Sequence, residues 1–309
     1  MPEILVTEDI QGAALTELAS VYSVAVEPDI WQDSGRLIEV LQTARAVIVR
    51  NQTQITDEII SACPNLEVIG RAGAGLDNID TASAEKHGVP VVYTPNENSI
   101  SVAELVMTLM LSLVRRIPQA WQDTRTGGWK RKEFTGGELF GKTLGIVGFG
   151  RIGRLVAQRA RAFGMTLIAH DDFVSADSPE AAELDTALVS LDELLSRSDF
   201  VTLHVPLTES TNGFFGADQF RQMKPTACFI NSSRGEVVNE NDLVAALDTA
   251  EIAAVALDVR LLEPPELGRL ESMDNVILTP HIGAFSREAQ DRVVTKVCRD
   301  VANVLAANG

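Results

Sequence analysis

The residues that announce chemistry first are glycines. Gly148, Gly150 and Gly153 stand in the order GxGxxG directly after the apolar run Thr143–Val147, with Arg151 and Ile152 between the last two. Ile152, Leu155, Val156, Arg159, Ala160 and Phe163 then recur at helical spacing. A strand, a glycine turn and a helix in this order let backbone amides approach a pyrophosphate, which the helix N-terminus favours electrostatically. GxGxxG alone is a weak signal. Here the following β-branched run, Met165–His170, ends in Asp171 and Asp172, and Asp171 lies eighteen residues past Gly153. A carboxylate at that place accepts hydrogen bonds from the adenosine ribose hydroxyls and repels the extra phosphate of NADP. No arginine follows to bind such a phosphate. The expected cofactor is NAD.

The elements that must hold this turn extend along the whole chain. Short β-branched runs alternate with helical periodicity, which is the pattern of parallel sheets with crossover helices. Ile4–Val6, Tyr22–Val26, Ala46–Val49, Val68–Gly70 and Val91–Tyr93 form one set of expected strands. After a long helix from about Ser101 to Arg116 come Thr143–Val147, Thr166–His170, Phe200–Leu203, Cys228–Asn231, Ala253–Leu257 and Val276–Thr279. A last helix runs from about Ser286 to Ala306. The expected fold class is α/β: two Rossmann-like lobes, each a doubly wound parallel sheet, with ligands beyond the carboxyl ends of the strands in a cleft between lobes.

Composition narrows the partners. The 309 residues suffice for two domains of ordinary size, and 45% hydrophobic with 22% charged residues is the balance of a soluble globular enzyme. A net charge of −17 repels nucleic acid and anionic lipid, so neither is an expected partner. Cys63, Cys228 and Cys298 are far apart and lack CxxC spacing, so no metal site is expected and a reducing cytoplasm fits best. The N-terminus reads straight into a strand, with no basic and apolar leader pattern. Leu105–Val114, the most apolar stretch, is about half a membrane crossing and reads as a buried helix.

Five stretches in order resemble the D-isomer-specific 2-hydroxyacid dehydrogenases, and most closely their D-3-phosphoglycerate dehydrogenase branch. They are Ile69 to Asp80 (IGRAGAGLDNID), the glycine fingerprint, Asn231 to Gly235 (NSSRG), Ala256 to Val259 (ALDV) with Glu263-Pro264, and Thr279 to Gly283 (TPHIG). The resemblance implies an NAD-binding domain over 99–286 and a substrate-binding, flavodoxin-like domain made of 1–98 plus 287–309. It implies an adenine pocket at His204, Val205 and Pro206, and it matches Asp258 to the acid that holds the nicotinamide carboxamide. It implies hydride transfer at C2 of a 2-hydroxy acid, with His281 as acid/base, Glu263 orienting its ring and Arg234 on the substrate carboxylate. Imidazole suits proton exchange near neutral pH, and a planar guanidinium suits a carboxylate.

For the substrate itself, the resemblance assigns the carboxylate to the backbone amides of Ala74 and Gly75. It assigns a distal anion to Arg50 and Arg71, with Arg131 reaching in from a neighbouring subunit. D-3-phosphoglycerate is the default substrate by resemblance. 3-Sulfolactate is a rival, because Asn51-Gln52 replaces small residues after the first arginine; hydroxypyruvate and glyoxylate rank third, since they would leave the arginines unused. Arg260-Leu-Leu before Glu263 and Ala284-Phe285 after TPHIG depart from the family pattern. A homodimer through the cofactor domains is expected, along Leu105–Ile117 and the segment Trp121–Phe134. A corepressor-like NAD-sensing protein is the alternative class, and no C-terminal amino-acid-sensing domain is expected.

Overall fold

The structure, a computed structural model, describes residues 2–175 and 177–308. Its internal contacts divide the chain into two compact units, one of Met1–Asn98 with Ala284–Gly309 and the other of Ser99–Gly283.

In the first unit the strands are β1 (Ile4–Val6), β2 (Val24–Val26), β3 (Ala46–Val49), β4 (Val68–Arg71) and β5 (Val91–Tyr93). They alternate with α1 (Ala13–Val21), α2 (Ser34–Leu41), α3 (Asp57–Ala62) and α4 (Thr81–Lys86). The order β2-β1-β3-β4-β5 is parallel throughout, and it reverses direction between β1 and β3. β1, β3 and β4 are buried on both faces, which is why their sequences run as unbroken apolar stretches instead of alternating.

In the second unit, α5 (Ser99–Arg115) and α6 (Ile117–Arg125) precede β6 (Thr143–Val147), α7 (Arg151–Ala162), β7 (Thr166–His170), α8 (Pro179–Glu183) and β8 (Thr186–Leu188). There follow α9 (Leu191–Arg197), β9 (Phe200–Leu203), α10 (Ala217–Gln222), β10 (Cys228–Asn231), α11 (Glu240–Asp248), β11 (Ala254–Leu257) and β12 (Val276–Leu278). The order β12-β11-β10-β9-β6-β7-β8 is again all parallel and reverses between β6 and β9. Phe215, Phe220 and Phe229 pack ring on ring in this unit's core, at centroid separations of 4.7 to 5.4 Å. Each is fully buried, worth roughly 1.5–3 kcal/mol by area. The last helix, α12 (Arg287–Ala307), returns to the first unit and packs on α1 and β4 through Val293, Val297 and Val301. Gly70 in β4 lets it lie close, since a Cβ there would stand 2.7 Å from the side chain of Val301.

Some expected elements differ in extent or number. The second strand starts at Val24 instead of Tyr22, because Tyr22 caps α1 by donating its amide to Leu18. The edge strand β8 is an addition to the expected set. The long helix ends within one residue of the expected Arg116, which takes a left-handed φ of 52°, and α6 begins anew after it. No helix among the described residues is long and apolar enough to cross a membrane.

Candidate functional site

The glycine fingerprint lies at the second unit's strand reversal. Gly148, with φ 92°, follows β6, and Gly150 caps α7, so the turn aims backbone amides along the start of a twelve-residue helix. A Cβ on Gly148 would stand 2.5 Å from the carbonyl oxygen of His204, and one on Gly153 would stand 2.2 Å from that of Gly148. Both positions are closed to any larger residue. A Cβ on Gly150 meets nothing within 4 Å. That open cradle at a helix N-terminus fits a pyrophosphate. Arg151 and Ile152 open the helix above it.

Asp171 follows β7 and ties this turn down. One carboxylate oxygen accepts from the amide of Phe149 at 2.7 Å and the other from that of Phe173 at 2.8 Å. Further lone pairs remain for ribose hydroxyls. His204, Val205 and Pro206 follow β9, the neighbour of β6, with the amide of His204 on the carbonyl of Val147 at 2.7 Å. Burial pushes the His204 imidazole down to about 3, so that ring is neutral, and the hydroxyl of Thr202 lies 3.1 Å from its Nε2.

At the carboxyl ends of β10, β11 and β12 stand Arg234, Glu263 and His281. Nδ1 of His281 lies 2.7 Å from Oε2 of Glu263. Burial alone would raise the Glu263 carboxyl. The hydrogen bond and charge of His281, the Arg260 amide and the nearby charge of Arg234 outweigh it and hold Glu263 below the usual carboxylate range. An imidazole with Nδ1 so engaged presents Nε2 for proton exchange.

The sequence offered little sign of how tightly this pair is held. His281 sits at φ 54°, a left-handed conformation unusual for a side chain with a Cβ. Asp258, 1% exposed, secures it: its carbonyl accepts from the His281 amide at 2.8 Å, and its carboxylate accepts from the amides of Ile282 and Gly283 at 2.9 and 2.8 Å and from the Thr279 hydroxyl at 2.6 Å. At least three of the Asp258 lone pairs therefore serve the His281 loop, and the carboxylate has room for little more than one further donor.

Arg260 anchors the Glu263 loop. Its Nε and Nη2 donate to the two oxygens of Glu240 at 3.1 and 3.2 Å, and Nη1 donates to Glu271. Its amide meets Oε1 of Glu263 at 3.1 Å. Arg260 is thus a structural pin. Gly235 completes the fit, since a Cβ there would fall 2.0 Å from the backbone carbonyl of Arg260. Before it, Asn231 holds the Arg234 loop by accepting from the amide and hydroxyl of Ser233 and donating to the Arg234 carbonyl at 2.8 Å. Ser232, which motif matching left without a role, carries a buried hydroxyl with no hydrogen-bond partner among the described residues.

The first unit carries the other named residues. Arg50 follows β3, and Arg71 ends the adjacent β4. Arg71 is 8% exposed and curls over the turn that follows it, with Nη1 donating to the Ala72 carbonyl at 3.0 Å. Ala74 and Gly75 lie in that turn. Arg131 is exposed on a turn of the second unit. No group of three or more potential metal-ligating side chains occurs among the described residues.

Residues 107–283 match the family model described as D-isomer specific 2-hydroxyacid dehydrogenase, NAD binding domain. The D-3-phosphoglycerate dehydrogenase of Methanocaldococcus jannaschii is 43% identical over 305 residues, covering 99% of this chain and 58% of that protein. This chain spans little more than half the length of the curated relatives it matches. Among solved structures, a protein of Thermus thermophilus superposes with a TM-score of 0.92 at 31% identity, covering 98% of this chain and 97% of that one. The D-lactate dehydrogenase of Aquifex aeolicus, solved with NAD and lactic acid, gives 0.88 at 28% identity, covering 99% and 96%.

Proposed function

Because this chain belongs to the D-isomer specific 2-hydroxyacid dehydrogenases, we propose that it oxidises a 2-hydroxy acid at C2, or reduces the matching 2-keto acid, with D-3-phosphoglycerate as substrate. The observation that carries the reading is the 2.7 Å contact of His281 with Glu263 beside the charge of Arg234. Bound NAD supplies the hydride acceptor. In the oxidation, Nε2 of His281 takes the proton of the C2 hydroxyl as the C2 hydride leaves, and the imidazolium formed is stabilised by the ionised Glu263. Arg234 binds the substrate carboxylate and polarises the developing C2 carbonyl. The unit of Ser99–Gly283 is read as the cofactor domain, with Gly148, Gly150, Arg151, Ile152 and Gly153 on the pyrophosphate, Asp171 on the ribose, His204, Val205 and Pro206 around the adenine, and Asp258 toward the carboxamide. Given the four bonds Asp258 already makes within this loop, the carboxamide contact can take only its remaining capacity.

The other unit is read as the substrate domain, with Ala74 and Gly75 on the carboxylate and Arg50 and Arg71 on the distal anion. The names of relatives near 40% identity favour a phosphate there. 3-Sulfolactate is the second reading, favoured by Phe285 beneath Arg50, which brings an apolar surface to that subsite. A homodimer is part of the proposal. α6 buries none of its residues, and Trp121 and Trp129 are 56% and 77% exposed, so this segment presents apolar surface in want of a partner, with Arg131 beside it. The three cysteines are unpaired, which suits a reducing compartment.

The test is NADH formation from D-3-phosphoglycerate. The wild-type chain should turn over, and His281→Ala should lose about 10³-fold in kcat/KM while still binding NADH. Undiminished turnover by His281→Ala would remove the assignment.

A further inference from the structure

Arg50 lies where the strand order of the first unit reverses, between β1 and β3, the place at which open parallel sheets receive ligands. It is held at three points. Its amide donates to Oε1 of Glu8 at 2.8 Å, and its carbonyl accepts from Nδ2 of Asn78 at 2.8 Å. Glu8 is 3% exposed and also accepts from the amides of Gln52 and Thr53 and from the Thr53 hydroxyl, so it serves as the staple of the loop after β3. The third point is the guanidinium.

There, Nη2 donates to Oε1 of Gln290, on the first turn of α12. Gln290 cannot turn its amide over freely, because its own Nε2 donates to the Ala284 carbonyl at 2.7 Å. The Phe285 ring lies under the guanidinium, with its centroid 4.9 Å from Cζ. A guanidinium has five N–H groups arranged as two two-donor edges that share Nη2. A single acceptor on Nη2 leaves one edge whole, and a ring against one face limits approach to the other directions. Burial pulls the Arg50 pKa down while Glu8 and Asp9 push it up, so the group is partly desolvated and stays charged. A cation in this state, with a two-donor edge fixed in place, suits an oxyanion with two oxygens in a plane.

We propose that Phe285 and Gln290 are specificity-determining residues that hold the Arg50 guanidinium with one two-donor edge toward the distal oxyanion of the substrate. The inference rests on the reading of Arg50 as the distal-anion receptor. Neither residue belongs to the motifs that carry the chemistry. A preset arginine gives up less rotational freedom when the anion arrives, so the bracket acts on binding and not on hydride transfer.

The experiment measures kcat and KM with NADH for three keto acids: 3-phosphohydroxypyruvate, 3-sulfopyruvate and hydroxypyruvate, the last without a distal anion. Phe285→Leu, which keeps bulk and removes the π face, should raise KM roughly three- to ten-fold for whichever distal anion the enzyme prefers, with kcat unchanged and hydroxypyruvate unaffected. Phe285→Tyr should behave as wild type. Gln290→Glu, which sets a carboxylate against the guanidinium, should raise that KM by more than about ten-fold. Hydroxypyruvate serves as the internal control for folding in every variant. If Phe285→Leu and Gln290→Glu leave the preference intact while Arg50→Ala abolishes it, the bracket is refuted and the role of Arg50 stands. If Arg50→Ala also leaves the preference intact, the distal-anion reading itself fails.

Discussion

The two units use the same architecture in different ways. Each has a parallel sheet whose strand order reverses once, and each gathers its polar residues at the carboxyl ends of its strands. In the unit of Ser99–Gly283 the residues that matter are fixed through the backbone. His281 is held in a left-handed conformation by Asp258, and Gly235 leaves no space for a side chain against Arg260. In the other unit the backbone of Arg50 is stapled by Glu8 and Asn78, but the guanidinium groups are placed by side-chain contacts: Gln290 and Phe285 for Arg50, a fold-back onto its own turn for Arg71. On the proposed reading, chemistry at C2 would tolerate little displacement of the proton-transfer group and is built into a rigid frame. On the same reading, recognition of the far end of the substrate can be retuned by exchanging one side chain.

The contrast breaks most visibly at Gly235. Gly235→Ala drives a methyl to within 2.0 Å of the Arg260 carbonyl. It should push the Glu263 loop aside, reducing kcat about 100-fold or more and stability by about 1–3 kcal/mol, as thermal denaturation beside steady-state kinetics would report. Next in size, Arg71→Ala should raise KM for the distal-anion substrate roughly 10- to 100-fold and leave kcat within about two-fold, since it removes a charge-assisted contact and not a reacting group. An equal fall in kcat would deny the separation of roles. Arg260→Met frees the Glu263 loop from Glu240 and Glu271, and a loss of about ten-fold in kcat with an unaltered KM should follow.

The smallest effect lies in the acid limb of stability. Glu263 is held below the usual carboxylate range in the folded state, so its contribution is full above the unfolded value of about 4.3 and is lost as pH falls through the lower folded value. His204 acts in the same direction over a wider span. Folded at about 3 against about 6.5 unfolded, it withdraws stability progressively as pH drops below about 6.5. Melting temperatures of wild type and Glu263→Gln across this range should converge toward acid pH, because the variant has no Glu263 term to lose. A constant separation between the two curves would mean that the pair contributes nothing through ionisation.

How far the sequence foretold this follows from the range of each interaction. The glycine turn, the doubled acid after β7 and most strands could be read because their signals lie within one strand–turn–helix unit. Tyr22 reads as the start of a strand, yet its amide closes a helix instead of joining a ladder. The clamps were invisible for a different reason. Glu8 reaches Arg50 across 42 positions, and Gln290 reaches it across 240. No local pattern marks partners that only strand order makes neighbours. Arg260 illustrates the limit most clearly: as a sequence it was a departure from pattern, and its meaning appears only once Glu240 and Glu271 are seen on either side.

The division of labour is tested most directly by the ratio of kcat/KM for 3-phosphohydroxypyruvate to that for hydroxypyruvate, measured in Glu263→Gln and Arg71→Ala under identical conditions. Glu263→Gln should slow both substrates by the same factor and leave the ratio at its wild-type value, whereas Arg71→Ala should collapse the ratio roughly ten-fold or more. A ratio that moves in Glu263→Gln, or stays put in Arg71→Ala, contradicts the account.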